Sequence, residues 1–394
     1  MTSKEDYYAY IYNRLIVIFP DAPWRRVIGN LNRNKKSTVK QFSDYLIPYG
    51  IELWESREGK EYDSYLTAVI ADAMFYCGKI LELFDFIEEK HLDRLKSRFF
   101  AAFRQPNDMR SLTFEVFVFF ALRDYGYVVE SKDDDGAGET YDYLIGKNSK
   151  FIQVECKSFA YDKGLAINGD EAQSLIEKIL ENGLEINSSP TGEIGLMTLE
   201  IIAPIPSTPR ERNKFICELL REINEKSYRS TDKFKFHFQQ HKNVKNIDEV
   251  DACLGVLNLN KHGVDLGLTV TSPDGDKSRH GLQITTRAKD GFWREFEKIC
   301  KDAAKRQLRK NKPASIVVHV SNIQTVDNFS KDERFAQKLK NIFFQDHIVS
   351  IVIISNISVD TQEEYPFFYV TPIIYECVNE KSKYYPEIGK VFQK

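Results

Sequence analysis

Two stretches constrain the fold more than any others: Ala314 to Val320 (Ala-Ser-Ile-Val-Val-His-Val) and Ile348 to Ser355 (Ile-Val-Ser-Ile-Val-Ile-Ile-Ser). Both are near-continuous apolar runs. A half-exposed strand alternates apolar and polar residues, whereas a strand covered on both faces does not. The chain therefore predicts an α/β fold with central, doubly covered strands. Further strands are expected at Gly195–Ala203, Phe234–Phe238, Gly267–Thr271 and Gly281–Thr286, with helices at Asp170–Leu180 and Arg210–Lys226. His237 and His241 are four apart, but the alternation around them predicts a strand and not a helical metal pair. Residues 1–100 show helical periodicity over Tyr7–Phe19, Val39–Tyr49 and Tyr65–Ile87, with Pro23 opening a helix.

The chemistry concentrates between these regions. Tyr141-Asp142-Tyr143-Leu144-Ile145 and Phe151-Ile152-Gln153-Val154-Glu155-Cys156-Lys157 read as two strands joined by a polar turn, Gly146-Lys147-Asn148-Ser149. Strand side chains alternate, so Gln153, Glu155 and Lys157 share one face. The hairpin brings Asp142 beside Glu155. Adjacent carboxylates repel unless a cation or proton intervenes. Upstream, Ser111–Leu122 predicts a helix in which Glu115 is surrounded by Leu112, Val118, Phe119 and Leu122. A helix apolar all round is buried, and a buried carboxylate needs a cation or a raised pKa. Tyr125–Glu130 reads as a first strand. A Glu-x-Lys pair on a strand is by itself only a surface ion pair worth roughly 0–1 kcal/mol. The ordered set of helix glutamate, Asp142, Glu155 and Lys157 is more specific.

That set resembles the PD-(D/E)xK nuclease superfamily over about residues 108–160, with Tyr141 where its members often carry proline. The resemblance implies a restriction-endonuclease-like core: a mixed central sheet flanked by helices. It also implies a Mg²⁺-dependent endonuclease, with Mn²⁺ able to substitute, acting on DNA. Asp142 and Glu155 would hold the metal, Lys157 would orient water, and Glu115 would hold Lys157 or complete the metal shell. Bacterial restriction or anti-phage defence is the implied setting, and a homodimer is implied for double-strand cutting. A catalytically silent nucleic-acid-binding or regulatory module on the same fold, or an effector needing a ligand or partner protein, are the alternatives.

These elements divide the chain into a helical accessory domain (1–100), a core built from 101–160 plus 292–360, an α+β insertion (161–291) and a C-terminal extension (361–394). The rival is a self-contained C-terminal α/β domain. The first arrangement requires Val317 in the same sheet as Val154.

A nucleic-acid surface must be local, because the formal net charge is −3. Phe292 to Lys312 predicts an amphipathic helix with Phe296, Ile299, Cys300, Ala303 and Ala304 on one side. Arg294, Lys298, Lys301, Lys305, Arg309 and Lys312 lie on the other. A row of like charges at helical spacing points to a polyanion. A solvated face balanced by Glu295, Glu297 and Asp302 is the competing reading. Lys305 and Gln307 would face substrate. Asn32–Lys36 is a basic turn, and residues 132–139 form an acidic, glycine-rich loop expected at the mouth of the site. Six scattered cysteines without a C-x-x-C pair suit a reduced, cytoplasmic protein. No apolar run is long enough to span a membrane.

Overall fold

Asn148 and Ser149 take left-handed backbone angles, φ 52° and φ 62°. Two positive φ values in succession make a tight hairpin turn whose twist matches that of its strands. Here the turn joins β2 (Tyr143–Lys147) to β3 (Lys150–Phe159), with Lys147 opposite Lys150 and Tyr143 opposite Val154. The structure is a computed structural model. It describes residues 3–33, 45–58, 60, 62, 64–87, 89–132, 141–159, 167, 169–181, 193–206, 208–225, 227–242, 264–271, 279–286, 290–320, 333–355, 359–360, 369–370 and 373–393. The basic turn from Asn34 onward and the acidic loop from Asp133 lie outside these residues.

The chain forms two compact units: Met1–Ala160 with Glu297–Lys394, and Tyr161–Phe296. In the first, β1 (Val128–Ser131), β2 and β3 are successive antiparallel neighbours. β3 then pairs in parallel with β8 (Ala314–Val320), and β8 with β9 (Ile348–Ser355). The antiparallel edge strand β12 (Ile373–Val378) completes six strands in the order β1-β2-β3-β8-β9-β12. Val317 pairs with Cys156, so it shares a sheet with Val154. All eight residues of β9 are buried, as its unbroken apolar run requires. The architecture is thus α/β with a mixed sheet flanked by helices.

Among the described residues six helices precede the sheet: α1 (Lys4–Ile18), α2 (Pro23–Arg33), α3 (Leu46–Glu55), α4 (Ser64–Phe86), α5 (Glu89–Ala102) and α6 (Pro106–Asp124). Of the helix expected at Val39–Tyr49, residues 39–44 lie outside the described residues, and the described part falls at the start of α3. That helix packs tightly on α4 because Gly50 has no side chain: a Cβ there would lie 2.5 Å from the Val69 carbonyl. Residues 1–100 are not a separate accessory domain. Leu15, Trp24, Met74 and Phe99 belong to the same hydrophobic cluster as Tyr143, Val154, Cys156, Val317 and Val352. The helical layer is one side of the core, because one sheet face needs apolar cover. After β9 the short strands β10 (Val359–Asp360) and β11 (Tyr369–Val370) pair antiparallel, and residues 361–394 are likewise more than an extension, since they supply β11 and β12.

The predicted helix 292–312 is shorter. α9 (Asp290–Asp302) gives way to a π-helical turn, Ala303–Gln307. Arg309 and Lys312 therefore lie beyond the helix. Helix α10 (Glu333–Ile342) is tied to α9 through Glu297, which accepts hydrogen bonds from Lys301 and from Asn341 (3.0 Å) and pairs with Lys338 (2.8 Å).

In the second unit, β4 (Glu193–Ile201), β5 (Phe234–Lys242), β6 (Val264–Thr271) and β7 (Arg279–Thr286) form a sheet in the order β5-β4-β7-β6. Leu199, Phe234 and Ile284 pack with Leu175 and Ile176 of α7 (Gly169–Glu181) and with Phe215 and Leu219 of α8 (Pro209–Asn224). His237 and His241 lie on β5, and His237 Nε2 is 3.0 Å from Glu200 Oε2. Among the described residues, no helix is long and apolar enough to cross a membrane.

Candidate active site

The two-residue turn decides where the carboxylates meet. Carried one residue past Tyr143 and Val154, its register sets Asp142 opposite Glu155. Asp142 lies just outside β2. There its Oδ2 accepts a 2.6 Å hydrogen bond from the Cys156 backbone N–H of β3. Glu155 is 1% exposed and Asp142 9%. Lys157 Nζ donates to Glu155 Oε1.

Glu115 enters from α6, which is apolar around its circumference: Leu112, Phe114, Val116, Val118 and Phe119 are all buried. The Tyr143 hydroxyl donates to the Glu115 carbonyl (2.9 Å), fixing α6 over the hairpin. The Glu115 side chain pairs with Arg98 of α5 at 2.8 Å. The expectation that Glu115 holds Lys157 is therefore corrected. Lys157 is taken by Glu155, its same-strand neighbour, and the cation beside Glu115 comes from another helix. Arg98, Glu115, Asp142, Ser131 and Tyr143 line one small cleft, closed on its apolar side by Leu83, Leu95 and Leu112 among others. Arg98 is the residue that sequence reasoning missed. Nothing in its local text, Leu95-Lys96-Ser97-Arg98-Phe99, sets it apart from a surface arginine.

The electrostatics follow from crowding. Burial raises the Asp142 pKa well above the usual carboxylate value; the charges of Glu155 and Glu115 raise it further, against the Cys156 N–H and Lys157. Burial alone would depress Lys157, but the charge and hydrogen bond of Glu155, with help from Asp142, outweigh it and hold its pKa above the ordinary lysine value. Lys157 is therefore an ammonium donor and not a base. Burial, reinforced by the neighbouring carboxylates, also keeps the Cys156 thiol protonated.

This donor set fits a hard divalent ion. Mg²⁺ takes oxygen ligands and is often held by one or two carboxylates with the remainder from water and substrate phosphate. Asp142 and Glu155 supply such a pair, and a cation there would offset the burial, and relieve the repulsion, that together raise Asp142. Among the described residues, no group of three or more His, Cys, Asp and Glu side chains forms a ready-made ligand cluster.

The six predicted backbone-binding cations separate into three groups. Arg294, Lys298 and Lys305 are exposed on α9 and its π-helical continuation. Lys301 is engaged by Glu297. Arg309 and Lys312 sit in the turn before β8, Arg309 exposed and Lys312 half-buried. Gln307, the other residue expected to face substrate, closes the π-helical turn. Compared with family models, curated proteins and solved structures, the chain gives no match.

Proposed function

We propose that this chain is a metal-dependent nuclease with a restriction-endonuclease-like core, hydrolysing phosphodiester bonds, in DNA first of all. One observation carries the reading: Asp142, one residue before β2, meets Glu155 and Lys157 of β3, with the Asp142 carboxylate and the Glu155 and Lys157 side chains in mutual electrostatic contact. The order of elements supports it: helix α6, antiparallel β1-β2-β3, and, further along the chain, helix α9, which begins at Asp290, and parallel strand β8.

Asp142 and Glu155 would hold Mg²⁺, or Mn²⁺ in its place. When bound, such an ion lowers the pKa of a coordinated water and neutralises charge on the phosphate. The chain's own groups do the rest. Lys157 Nζ, held by Glu155, donates hydrogen bonds to the attacking water and to oxygens gaining negative charge. The Cys156 N–H holds the Asp142 carboxylate in one orientation. Arg98 balances Glu115 and presents a guanidinium to the cleft, a group suited to a phosphate oxygen. Bacterial restriction or anti-phage defence, with a homodimer for double-strand cutting, is the setting we propose.

A second reading has one observation in its favour. The Lys157–Glu155 and Arg98–Glu115 pairs neutralise two of the three carboxylates internally, as in a fold that keeps these residues for structure and binds nucleic acid without cutting it. The deciding experiment is cleavage of plasmid, duplex DNA, single-stranded DNA and RNA with Mg²⁺, Mn²⁺ or EDTA, using wild type and Lys157→Ala. Metal-dependent cutting lost in a folded Lys157→Ala protein supports the nuclease. Undiminished cutting in that variant sinks the assignment. With no cutting by either, calorimetric titration of Mg²⁺ into wild type and Asp142→Asn decides whether the carboxylates hold metal.

A further inference from the structure

Five cations, Lys305, Arg306, Arg309, Lys310 and Lys312, fall within residues 305–312, and no acidic residue occurs from Ala303 to Val326. The chain as a whole carries a formal net charge of −3, so this density is local and not a general basic coat. Like charges packed this closely repel, and an ordinary solvated loop would let them spread. Here the turn is fixed in three places. His347, 1% exposed, sets its Nε2 3.0 Å from the Ala304 carbonyl in the π-helical segment. Gln153, 0% exposed, pairs its side-chain amide with the Arg309 backbone: Oε1 accepts from the Arg309 N–H (3.0 Å) and Nε2 donates to the Arg309 carbonyl (3.1 Å). The Gln153 backbone N–H donates to the Pro313 carbonyl at 2.9 Å. All three anchors grip main chain. The side chains of Lys305, Arg306, Arg309 and Lys310 remain exposed, and Arg306 reaches back to Asp302 at 3.9 Å.

Holding repelling cations in one geometry is unfavourable for the free protein and favourable for a polyanion that finds them already arranged. π-Helical turns are themselves concentrated at functional sites. The anchoring residue supplies the connection to chemistry. Gln153 precedes Glu155 by two residues on the same face of β3, about 7 Å along the strand. We infer that residues 305–312 are a prebuilt seat for a nucleic-acid phosphate backbone, and that Gln153 is the positioning residue that ties this seat to the strand carrying Glu155 and Lys157. The inference rests on the nuclease reading for its choice of polyanion, while its test is binding and not hydrolysis.

The test measures anisotropy of a labelled DNA duplex, and of the matching RNA duplex, titrated in EDTA over a series of KCl concentrations. Lys305→Ala/Lys310→Ala should weaken binding about tenfold or more and reduce the log–log salt slope by about two. Arg26→Ala/Lys214→Ala, which removes the same charge from exposed positions elsewhere, should leave both unchanged. Gln153→Met keeps every cation. With a cooperative melt showing that it is folded, it should also lose affinity, a change that a merely structural glutamine would not produce. Comparing the two duplexes identifies which nucleic acid supplies the phosphates. Equal losses in the control variant, unchanged affinity in the double-lysine variant, or binding of anionic vesicles with no binding of either duplex would overturn the seat. A folded Gln153→Met that binds like wild type would overturn its positioning role. Duplex binding that depends on these lysines without any cleavage supports the seat and tells against hydrolysis, which separates the two failures.

Discussion

Arg98 on α5 and Glu115 on α6 form a 2.8 Å ion pair inside the cleft that also holds Asp142. The Glu115 side chain is 14% exposed, so loss of Arg98 would leave a largely desolvated carboxylate without its guanidinium. Arg98→Met should cost about 1–3 kcal/mol in urea unfolding. Arg98→Lys should recover much of it. A methionine variant as stable as wild type would show that the pair contributes nothing.

Asp142 should set activity against stability. A carboxyl whose pKa is raised on folding binds its proton more tightly in the folded state. It therefore favours folding at low pH and opposes it as pH rises from the usual carboxylate range through the raised folded value. In EDTA near neutral pH, Asp142→Asn should melt higher than wild type while keeping the Cys156 hydrogen bond through its amide oxygen. With Mg²⁺ present the order should reverse, because only the carboxylate gains from the ion. A lower Tm for the variant in EDTA would contradict the crowding seen among Asp142, Glu155 and Glu115.

The turn offers a mechanical test. Ser149 holds φ 62°, where a non-glycine residue is strained by about 1 kcal/mol. Ser149→Gly should stabilise the protein by up to that amount without touching cleavage. Inserting one residue between Asn148 and Ser149 should do the opposite, because a one-residue slip turns strand side chains to the wrong face. Loss of cleavage in a folded insertion variant is the expected result, and full activity would show that the Asp142–Glu155 alignment does not matter.

His319 predicts a pH dependence away from the carboxylates. Its ring stacks on Phe114 (centroids 5.1 Å apart), and burial, with Arg110 nearby, lowers its pKa to about 4. Between the ordinary histidine value and about 4 the unfolded chain binds the extra proton. This contribution is full above the ordinary value and is lost as pH falls toward 4, up to about 3 kcal/mol in all. His319→Phe should flatten the fall in urea midpoint between neutral and mildly acid pH. An unchanged pH slope would refute the assignment.

How much of this was readable in advance follows from the range of each interaction. β8 and β9 announced themselves because double burial demands unbroken apolar runs. The hairpin was legible from its turn, and Glu115 from the apolar helix around it. Arg98 was not, because its role is created by packing α5 against α6 and leaves no trace in its own neighbourhood. The edge strand β12 was missed for a related reason: an edge strand needs neither a continuous apolar run nor strict alternation. The end of α9 was overextended because its charge spacing stays helical into residues that the π-helical turn and Gln153 redirect.

The parallel pairing of β3 with β8 has a bearing on how the molecule comes into being. Gln153 meets Arg309 156 positions further along the chain, and an entire compact unit, Tyr161–Phe296, is made in between. Such a distant contact is slow to form and waits on the folding of what it encloses. On the ribosome, a chain that has not yet reached Ala314 leaves β3 without the neighbour it has in the finished sheet. The segment carrying the cations likewise still lacks His347, which anchors it at the Ala304 carbonyl. Synthesis itself therefore keeps the acidic corner and the basic turn apart until roughly four-fifths of the polypeptide has been made.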